Sequence, residues 1–197
     1  MEVTWSLNAM LRQPQHDTGV IVRGSLDVFL PAYDVSEFHE VLIKASPQAV
    51  YAAMERVSLS DSPIVSALTR LRGLGASRTT LLAGVRSMFL TLKEDPGREL
   101  VFGVVGQFWR FRGNLHEIDA ADFASFEKPG FAKSAWNFAF TEEGGGTHLS
   151  TETRVQCFGA PSRLKFRAYW TLVGPFSAWI RVEMLRLIKR AAEGDQA

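Results

Sequence analysis

Apolar and polar positions alternate along the first clearly patterned stretch of the chain, from Phe38 onwards. Val41 and Ile43 fall on one side of this alternation, and Glu40 falls on the other. A period of two residues is typical of a strand that buries one face. We therefore predict that the patterned region starts with a β-strand, preceded by an N-terminal arm over residues 1–35.

The spacing of apolar residues then changes to three or four, which predicts helices. Ser-Pro pairs at 46–47 and 62–63 are helix-start signals, because serine caps the first turn and proline at the first helical position loses no hydrogen bond. Residues 76–87 fit a helix or a loop equally. Residues 161–193 form a long C-terminal helix in this pattern, and Gly174-Pro175 is predicted to kink or split it.

Strand signals dominate the region between these helices. Strands are predicted at residues 88–94, 99–112, 115–118, 133–142 and 147–157, with a turn at 95–98 and one helical turn at 119–126. The glycine-rich stretch 143–146 is typical of a hairpin loop between the last two strands.

That loop sets the register of the hairpin, if Glu142 faces Thr147. The pairs on one face are then Phe140 with Leu149, Phe138 with Thr151, and Trp136 with Thr153. The pairs on the other face are Asn137 with Glu152 and Ala135 with Arg154. We predict that the aromatic face is covered and that the polar face meets water.

Composition narrows the class of protein. The chain has 197 residues, of which 46% are hydrophobic and 22% are charged, with a formal net charge of +1. These values exclude a disordered, collagen-like or coiled-coil protein, and near-neutral charge argues against a dedicated nucleic-acid binder. Cys157 is the single cysteine of the sequence, which suits a reducing compartment and an inert, buried thiol.

The sequence predicts neither a signal peptide nor a transmembrane helix. The N-terminus lacks a basic stretch followed by an apolar one, so we expect no signal peptide. The longest nearly apolar run, residues 169–180, is too short for a bilayer core of about 30 Å. We expect a cytoplasmic protein without a transmembrane segment.

The order of elements resembles that of the START-related SRPBCC superfamily, which includes polyketide cyclase/dehydrase-like proteins. The resemblance lies in FHEVLIKASPQAVYAAM at 38–54, the Ser-Pro helix start at 62–63, AWNFAFTEEGGGTHLSTETRV at 135–155 and the final helix. It implies an α+β helix-grip fold over residues 36–197. In that fold, an antiparallel curved sheet wraps around a long C-terminal helix, and two short helices follow the first strand.

The resemblance also implies a space between sheet and helix, which is either filled by core side chains or left open for a ligand. The candidate ligand-binding residues are Phe102, Phe108, Arg110, Trp136, Phe138, Thr151, Thr153, Tyr169, Val173 and Phe176. The two threonine hydroxyls need partners in an apolar lining. Arg110 is the candidate anchor for a carboxylate or enolate, provided that the strand extends through it with Phe108 facing inward.

The sequence gives weaker evidence for catalytic residues than for ligand-binding ones. His39 is in phase with the inward positions of the first strand, so acid–base work by His39 or by His116 stays open. No metal-ligand spacing, GxSxG motif or nucleotide-binding loop occurs, and we expect neither a metal nor a cofactor.

Three functions remain open at this point. The first is binding or carriage of a small hydrophobic molecule without catalysis. The second is a cyclase/dehydrase-like enzyme, a lyase or isomerase acting on a ligand in the same space. The third is a protein-interaction module that uses the basic C-terminal helix, over which lysine and arginine outnumber aspartate and glutamate. Trp170 and Trp179 on that helix also fit contact with an anionic membrane.

Overall fold

The computed structural model describes residues 24–58, 80–110 and 114–194. Its elements, in chain order, are α1 (Leu26–Phe29), β1 (Val35–Ile43), α2 (Pro47–Arg56), α3 (Leu81–Met88), β2 (Leu90–Asp95), β3 (Glu99–Gly106), α4 (Ala120–Phe123), β4 (Ala132–Glu143), β5 (Gly146–Cys157) and α5 (Ala160–Gly194).

The five strands form one antiparallel sheet in the order β1-β5-β4-β3-β2. The C-terminal helix α5 lies along β1 and β5, and α2 packs against α5. Two short helices, α2 and α3, are described between β1 and β2. The predicted α+β helix-grip class, with a curved antiparallel sheet around a long C-terminal helix, is confirmed.

Helix α2, the first helix that the sequence predicts, starts where its capping signal indicates. The Ser46 side chain accepts a hydrogen bond from the backbone N–H of Ala49 at 3.3 Å, and Pro47 is the first helical residue. Val50 and Met54 are buried at helical spacing. The second predicted helix, starting at residues 62–63, lies outside the described residues. Helix α3 forms within the stretch 76–87 that the sequence left open between helix and loop, and ends one residue beyond it.

The register of the β4–β5 hairpin is confirmed where strand partners are assigned. Trp136 lies opposite Thr153, and Phe140 lies opposite Leu149. The loop turns through Gly144 and Gly145, whose φ angles are +57° and +80°. Such left-handed backbone conformations are readily adopted by glycine, so the sequence of the loop and its geometry agree.

The prediction that the polar face of the hairpin meets water is wrong. Residues 24–34, with α1 at their centre, cover this convex face of the sheet. Leu26 and Leu30 pack there against Val101 and Ala135 in a second hydrophobic cluster. Alternation along the hairpin showed which residues share a face. Whether that face is exposed to water depends on residues 24–34, which are distant in the sequence.

Strand β3 is shorter than predicted. It ends at Gly106 rather than at residue 112, and a turn follows in which the Arg110 N–H donates to the carbonyl of Gln107 at 2.8 Å. The short strand predicted at 115–118 does not form either. Apolar residues beyond Gly106 therefore continue as turn and loop in the described part, so a run of aromatic residues alone did not define a strand.

Of the kink or split predicted at Gly174-Pro175, the split does not occur. Helix α5 is continuous from Ala160 to Gly194 and contains Pro175. At about 1.5 Å per residue it is about 50 Å long. Its two halves pack against different clusters. Phe166 joins Ala132 and Val155 near one end, whereas Met184 and Ile188 join the main core near the other. Packing at both ends offsets the loss of one helical hydrogen bond at proline.

The described helices include none with the length and apolar character required to cross a bilayer.

Candidate functional site

The centre of the concave face is a row of side chains contributed by three neighbouring strands. Glu37 of β1 lies opposite Thr153 of β5, and Thr153 lies opposite Trp136 of β4. Side chains in directly opposed positions project to the same face of a sheet. Two residues further along β1, on the same face, His39 lies opposite Thr151. The inner face therefore presents a polar strip beside the aromatic core.

Helix α5 places Arg181 above this row. Its guanidinium carbon lies 4.8 Å from the centre of the Trp136 ring, a cation–π distance. Its Nη1 donates to the Thr151 hydroxyl at 3.4 Å. The Nε atom is shielded from solvent and has no hydrogen-bond partner.

Burial dominates the electrostatics of Arg181. Loss of water around the guanidinium lowers the pKa of Arg181 to about 10, while the negative charge of Glu37 acts in the opposite direction. A guanidinium with such a pKa still carries its charge at neutral pH. The arginine is thus a positively charged donor in a largely dehydrated position.

Glu37 is the acidic member of the site, and only 9% of its side chain is exposed. One carboxylate oxygen, Oε1, lies 2.7 Å from Nε2 of His39. In the tautomer that carries its hydrogen on Nε2, His39 donates to this oxygen. The other oxygen, Oε2, is buried without a partner.

Thr153 is the third polar residue of the site, beside Arg181 and Glu37. Its residue is 6% exposed, and its Oγ1 is buried without a partner. Among the described residues, the buried side-chain atoms left without any hydrogen-bond partner are Glu37 Oε2, Thr153 Oγ1 and Arg181 Nε. Buried polar atoms are nearly always satisfied, and each exception costs stability. That all three belong to β1, β5 and α5 residues around one spot is the central observation about this site.

The helix covers the sheet incompletely beside this spot. Tyr169 and Trp170 pack on the cluster around Phe166, yet both stay half-buried. Val173 and Ser177, at four-residue spacing from Tyr169, are half-buried as well, in contrast to the fully buried stretch from Val182 to Leu185. Contact between α5 and the sheet is therefore looser over its first half.

The deeper aromatic candidates lie inside the core. Phe102 is 1% exposed and Phe138 is 0% exposed, and both pack on Trp136 at ring-centre distances of 5.0 and 5.4 Å. Phe89 of the loop before β2 makes an edge contact with the same indole at 5.6 Å. These rings fix the plane of Trp136, on which Arg181 lies.

The remaining candidates are spread more widely. Phe108 touches Phe166 at 6.4 Å near the start of α5. Phe176 is 46% exposed. Arg110 is exposed, and because β3 ends at Gly106 the alternation that would point it inward does not reach it. Arg181, which lies on α5, holds the position over the concave face that the sequence argument offered to Arg110.

Two members of the site, Glu37 and Arg181, were missed by the sequence analysis. Glu37 is in phase with Val41 and Ile43, so the alternation of β1 was a usable signal for it. Arg181 lies one residue after an apolar position of the helical repeat and four residues before buried Leu185. Helical spacing from Leu185 would have placed it on the covered side.

Other reactive groups lie away from this row. Cys157 is buried, and burial together with Asp34 raises its pKa to about 12, so the thiol is protonated at neutral pH. His116 packs against the rings of Phe126 and Phe131. In the described ranges, no three metal-ligating side chains of histidine, cysteine, aspartate or glutamate are grouped as they would be around a metal.

Comparisons with known proteins identify no family. No family model matches the chain, and no curated protein matches it. A solved structure from Chromobacterium violaceum is 12% identical, covering 80% of this chain and 96% of its own, with a TM-score of 0.36. CalU16 from Micromonospora echinospora is 15% identical, covering 81% and 85%, with a TM-score of 0.31.

The di-domain ARO/CYC StfQ from the steffimycin biosynthetic pathway is 12% identical, with a TM-score of 0.35. The match covers 82% of this chain and 52% of StfQ, so this chain spans about half of that protein. These identities and TM-scores are too low to carry an argument about function, which therefore rests on the site itself.

Proposed function

We propose that this chain is a member of the SRPBCC superfamily that binds and carries a small, mainly apolar molecule between α5 and the concave face of the sheet. The observation that carries this proposal is the convergence of three unpartnered buried polar atoms, from Glu37, Thr153 and Arg181. A bound molecule that supplied their hydrogen bonds would remove the cost of leaving them unpaired. The apolar part of that molecule would lie against Trp136 and the half-buried residues of α5.

The predicted ligand-binding set divides in this proposal. Trp136, Thr151 and Thr153 lie beside the unpartnered atoms, and Tyr169 and Val173 are proposed to extend the contact surface along the half-buried first part of α5. Phe102 and Phe138 support Trp136 from within the core. Phe108, Arg110 and Phe176 are proposed to border the opening rather than the polar row.

Native mass spectrometry of freshly purified protein tests the proposal. We expect an adduct of constant mass that is lost on denaturation. The Thr153→Val variant, which keeps the volume and removes the hydroxyl, should retain less of the adduct. Thr141→Val is the matched control, because Thr141 is an exposed residue of β4. Absence of any adduct, together with no thermal stabilisation by a panel of apolar ligands, would contradict the proposal.

An enzyme of the cyclase/dehydrase type is the second candidate, and the contact between His39 and Glu37 favours it. In the tautomer whose Nε2 hydrogen is held by Glu37, the His39 imidazole has Nδ1 as its basic atom. In such a reaction the proton on the carbon next to a carbonyl would move to His39. The electron pair of that C–H bond would form an enolate, stabilised by Arg181.

Deuterium incorporation next to the carbonyl of 1-tetralone in D2O, followed by NMR, separates the two candidates. An enzyme should exchange this position faster than buffer does, and His39→Gln should remove the acceleration. Binding of 1-tetralone without accelerated exchange would leave carriage as the function.

A further inference from the structure

The side of α5 that faces away from the sheet carries a row of apolar residues. They recur at spacings of three or four, and all are exposed: Leu164, Ala168, Leu172, Phe176 and Trp179. Such spacing keeps side chains on one side of a helix, and Phe166 on the other side is buried against the sheet. Leu164 and Leu172 are each 72% exposed. We call this row the outer stripe of α5. It is about 22 Å long at about 1.5 Å per residue.

The same side of α5 changes character beyond Trp179. Arg186, Arg190 and Glu193 continue it at helical spacing, so the second half of the helix turns charged residues outward. A charged or polar outer side is what a helix normally presents to water. Single exposed apolar residues are common, but a contiguous row of them marks a surface that meets a partner. The outer stripe therefore has the composition of a surface that is covered in use.

The charge of this half of α5 is all of one sign. Residues 160–182 contain no aspartate or glutamate, and their basic residues are Arg163, Lys165, Arg167 and Arg181. Arg163 donates to Asp34 at 3.1 Å, and Arg181 lies over Trp136 on the concave face. Two cations, on Lys165 and Arg167, therefore remain for a partner on the outer side.

Lys165 and Arg167 lie beside the outer stripe. Both are exposed, and neither forms an ion pair with another residue in the described part of the chain. At about 3.6 residues per turn, they project to the two sides of the line that joins Leu164 to Ala168. An apolar row flanked by lysine and arginine, with no acidic residue near it in the helix, is complementary to an anionic, apolar partner.

Shape and charge distinguish between the partners that such a surface could meet. The outer stripe is a ridge on the outside of the molecule, because α5 is packed on its inner side alone along this half. A second copy of the chain would bring another ridge with the same cations and no acidic residues in it. A lipid surface requires no matching groove and supplies the negative charge, so the observations favour a membrane.

We infer that the outer stripe of α5 docks this protein on an anionic membrane surface, with α5 lying in the plane of the lipid headgroups. Leu164, Leu172 and Trp179 enter the boundary between headgroups and acyl chains, while Lys165 and Arg167 contact lipid phosphates. Of the two tryptophans on α5, only Trp179 takes part, because Trp170 stacks on Phe166 at 5.6 Å. This docking uses the outer side of α5 and does not depend on the ligand proposed for its inner side.

Co-sedimentation of the full chain with lipid vesicles tests the inference. One set of vesicles is phosphatidylcholine alone, and the other is phosphatidylcholine mixed with an equal part of phosphatidylglycerol. We expect partitioning onto the anionic vesicles to be about tenfold stronger, because each of two cations near an anionic surface contributes several-fold. Added sodium chloride should weaken this preference, since salt screens exposed charges.

Two double variants test the two components of the surface separately. Leu164→Gln with Leu172→Gln should weaken partitioning onto anionic vesicles by about tenfold or more, because less apolar surface enters the lipid. Both positions are exposed and glutamine favours helices, so the fold should persist, and urea unfolding checks this. Lys165→Gln with Arg167→Gln should remove the preference for anionic vesicles by about tenfold.

Matched controls lie elsewhere on the molecule. Val28→Gln changes an apolar residue that is 71% exposed in α1, on the convex side of the sheet. Arg98→Gln changes an exposed arginine of the turn between β2 and β3. Both variants should partition as the wild type does. Thr153→Val should do so as well, which keeps the test of docking separate from the test of ligand binding.

Three results would overturn the inference. The first is that the wild type does not partition onto anionic vesicles. The second is that it does, but the leucine double variant partitions equally well. The third is a dimer, seen by light scattering, that the leucine double variant dissociates, since the outer stripe would then be the contact between two copies of the chain.

Discussion

Two buried glutamates on opposite faces of the sheet differ in how many hydrogen-bond partners their carboxylates have. On the convex face, Glu99 is 8% exposed and accepts hydrogen bonds from the Ser25 N–H, Asn137 Nδ2 and Lys93 Nζ. On the concave face, Glu37 has a partner for one oxygen only. A satisfied carboxylate stabilises the fold, whereas a buried carboxylate oxygen without a partner costs stability.

Glu99 gives the first prediction, which concerns stability against pH. Burial raises the pKa of Glu99, but the hydrogen bonds from Ser25, Asn137 and Lys93 outweigh it, so the pKa lies below its ordinary value of 4.5. A depressed carboxyl pKa stabilises the fold above 4.5, and that contribution is lost as the pH falls through the folded value. Glu99→Gln should therefore lower the free energy of unfolding at pH 7, and its deficit should shrink towards acid.

Urea unfolding of the wild type and Glu99→Gln across this pH range measures the effect. Glu142→Gln is the control, because Glu142 is exposed near the hairpin loop. A deficit for Glu99→Gln that stays constant with pH would show that its ionisation is not linked to folding.

At the scale of elements, strand alternation and helix capping were sufficient to place β1, α2 and the hairpin. The predictions were wrong where the end of an element depended on the rest of the structure and not on its own sequence pattern. Strand β3 stops at Gly106 although aromatic residues follow, and α5 runs through Pro175 because both of its halves are packed. Local pattern predicts what an element is made of better than where it stops.

Two glycines with opposite surroundings provide the second prediction. A Cβ at Gly84, inside α3, would meet nothing within 4 Å, so Gly84→Ala should stabilise the protein by about 0.5–1 kcal/mol. A Cβ at Gly146 would lie 2.5 Å from the carbonyl oxygen of Ile43, where β5 starts beside β1. Gly146→Ala should therefore destabilise the protein by about 1–3 kcal/mol, because backbone must move.

Midpoints of urea unfolding measure both substitutions, and each variant serves as the control for the other. Equal midpoints for the two variants would mean that the close approach of β5 to β1 at Gly146 does not limit the fold.

At the scale of the whole molecule, the two faces of the sheet differ in whether their buried polar groups are paired. Residues 24–34 cover the convex face, where Arg154 donates to Asp27 at 2.5 Å and to the carbonyl of Leu30 at 3.3 Å. The Arg154 guanidinium also lies 4.8 Å from the centre of the Tyr33 ring. The polar row with its unpartnered atoms lies on the concave face, under α5. The convex face is therefore closed by polar contacts that are satisfied, and the concave face keeps those that are not.

This separation gives the third prediction. Asp27→Ala removes one partner of Arg154 and should speed amide hydrogen exchange in residues 24–34, because it weakens the polar contacts that hold the segment on the sheet. Ligand binding on the concave face should stay unchanged. Asp119→Ala is the control, since Asp119 precedes α4 without a side-chain capping bond. Unchanged exchange in residues 24–34 would show that apolar packing of Leu26 and Leu30 alone holds the segment.

The sequence by itself determined the class of the fold and one face of the future site. Period-two alternation put Trp136, Thr151 and Thr153 on a shared face, and the glycine-rich loop fixed their register. These are local properties, since a strand's alternation and a hairpin's loop are set by residues close together in the chain.

Only the tertiary structure decided which polar groups meet on that face. Glu37 reaches Thr153 across more than a hundred residues, and Arg181 reaches Trp136 from a helix whose basic residues otherwise read as a solvated surface. Arg110 was the expected anchor because its neighbours are aromatic, but the early end of β3 removed the alternation that pointed it inward. Contacts between distant segments depend on how elements pack, and spacing along the chain does not encode them.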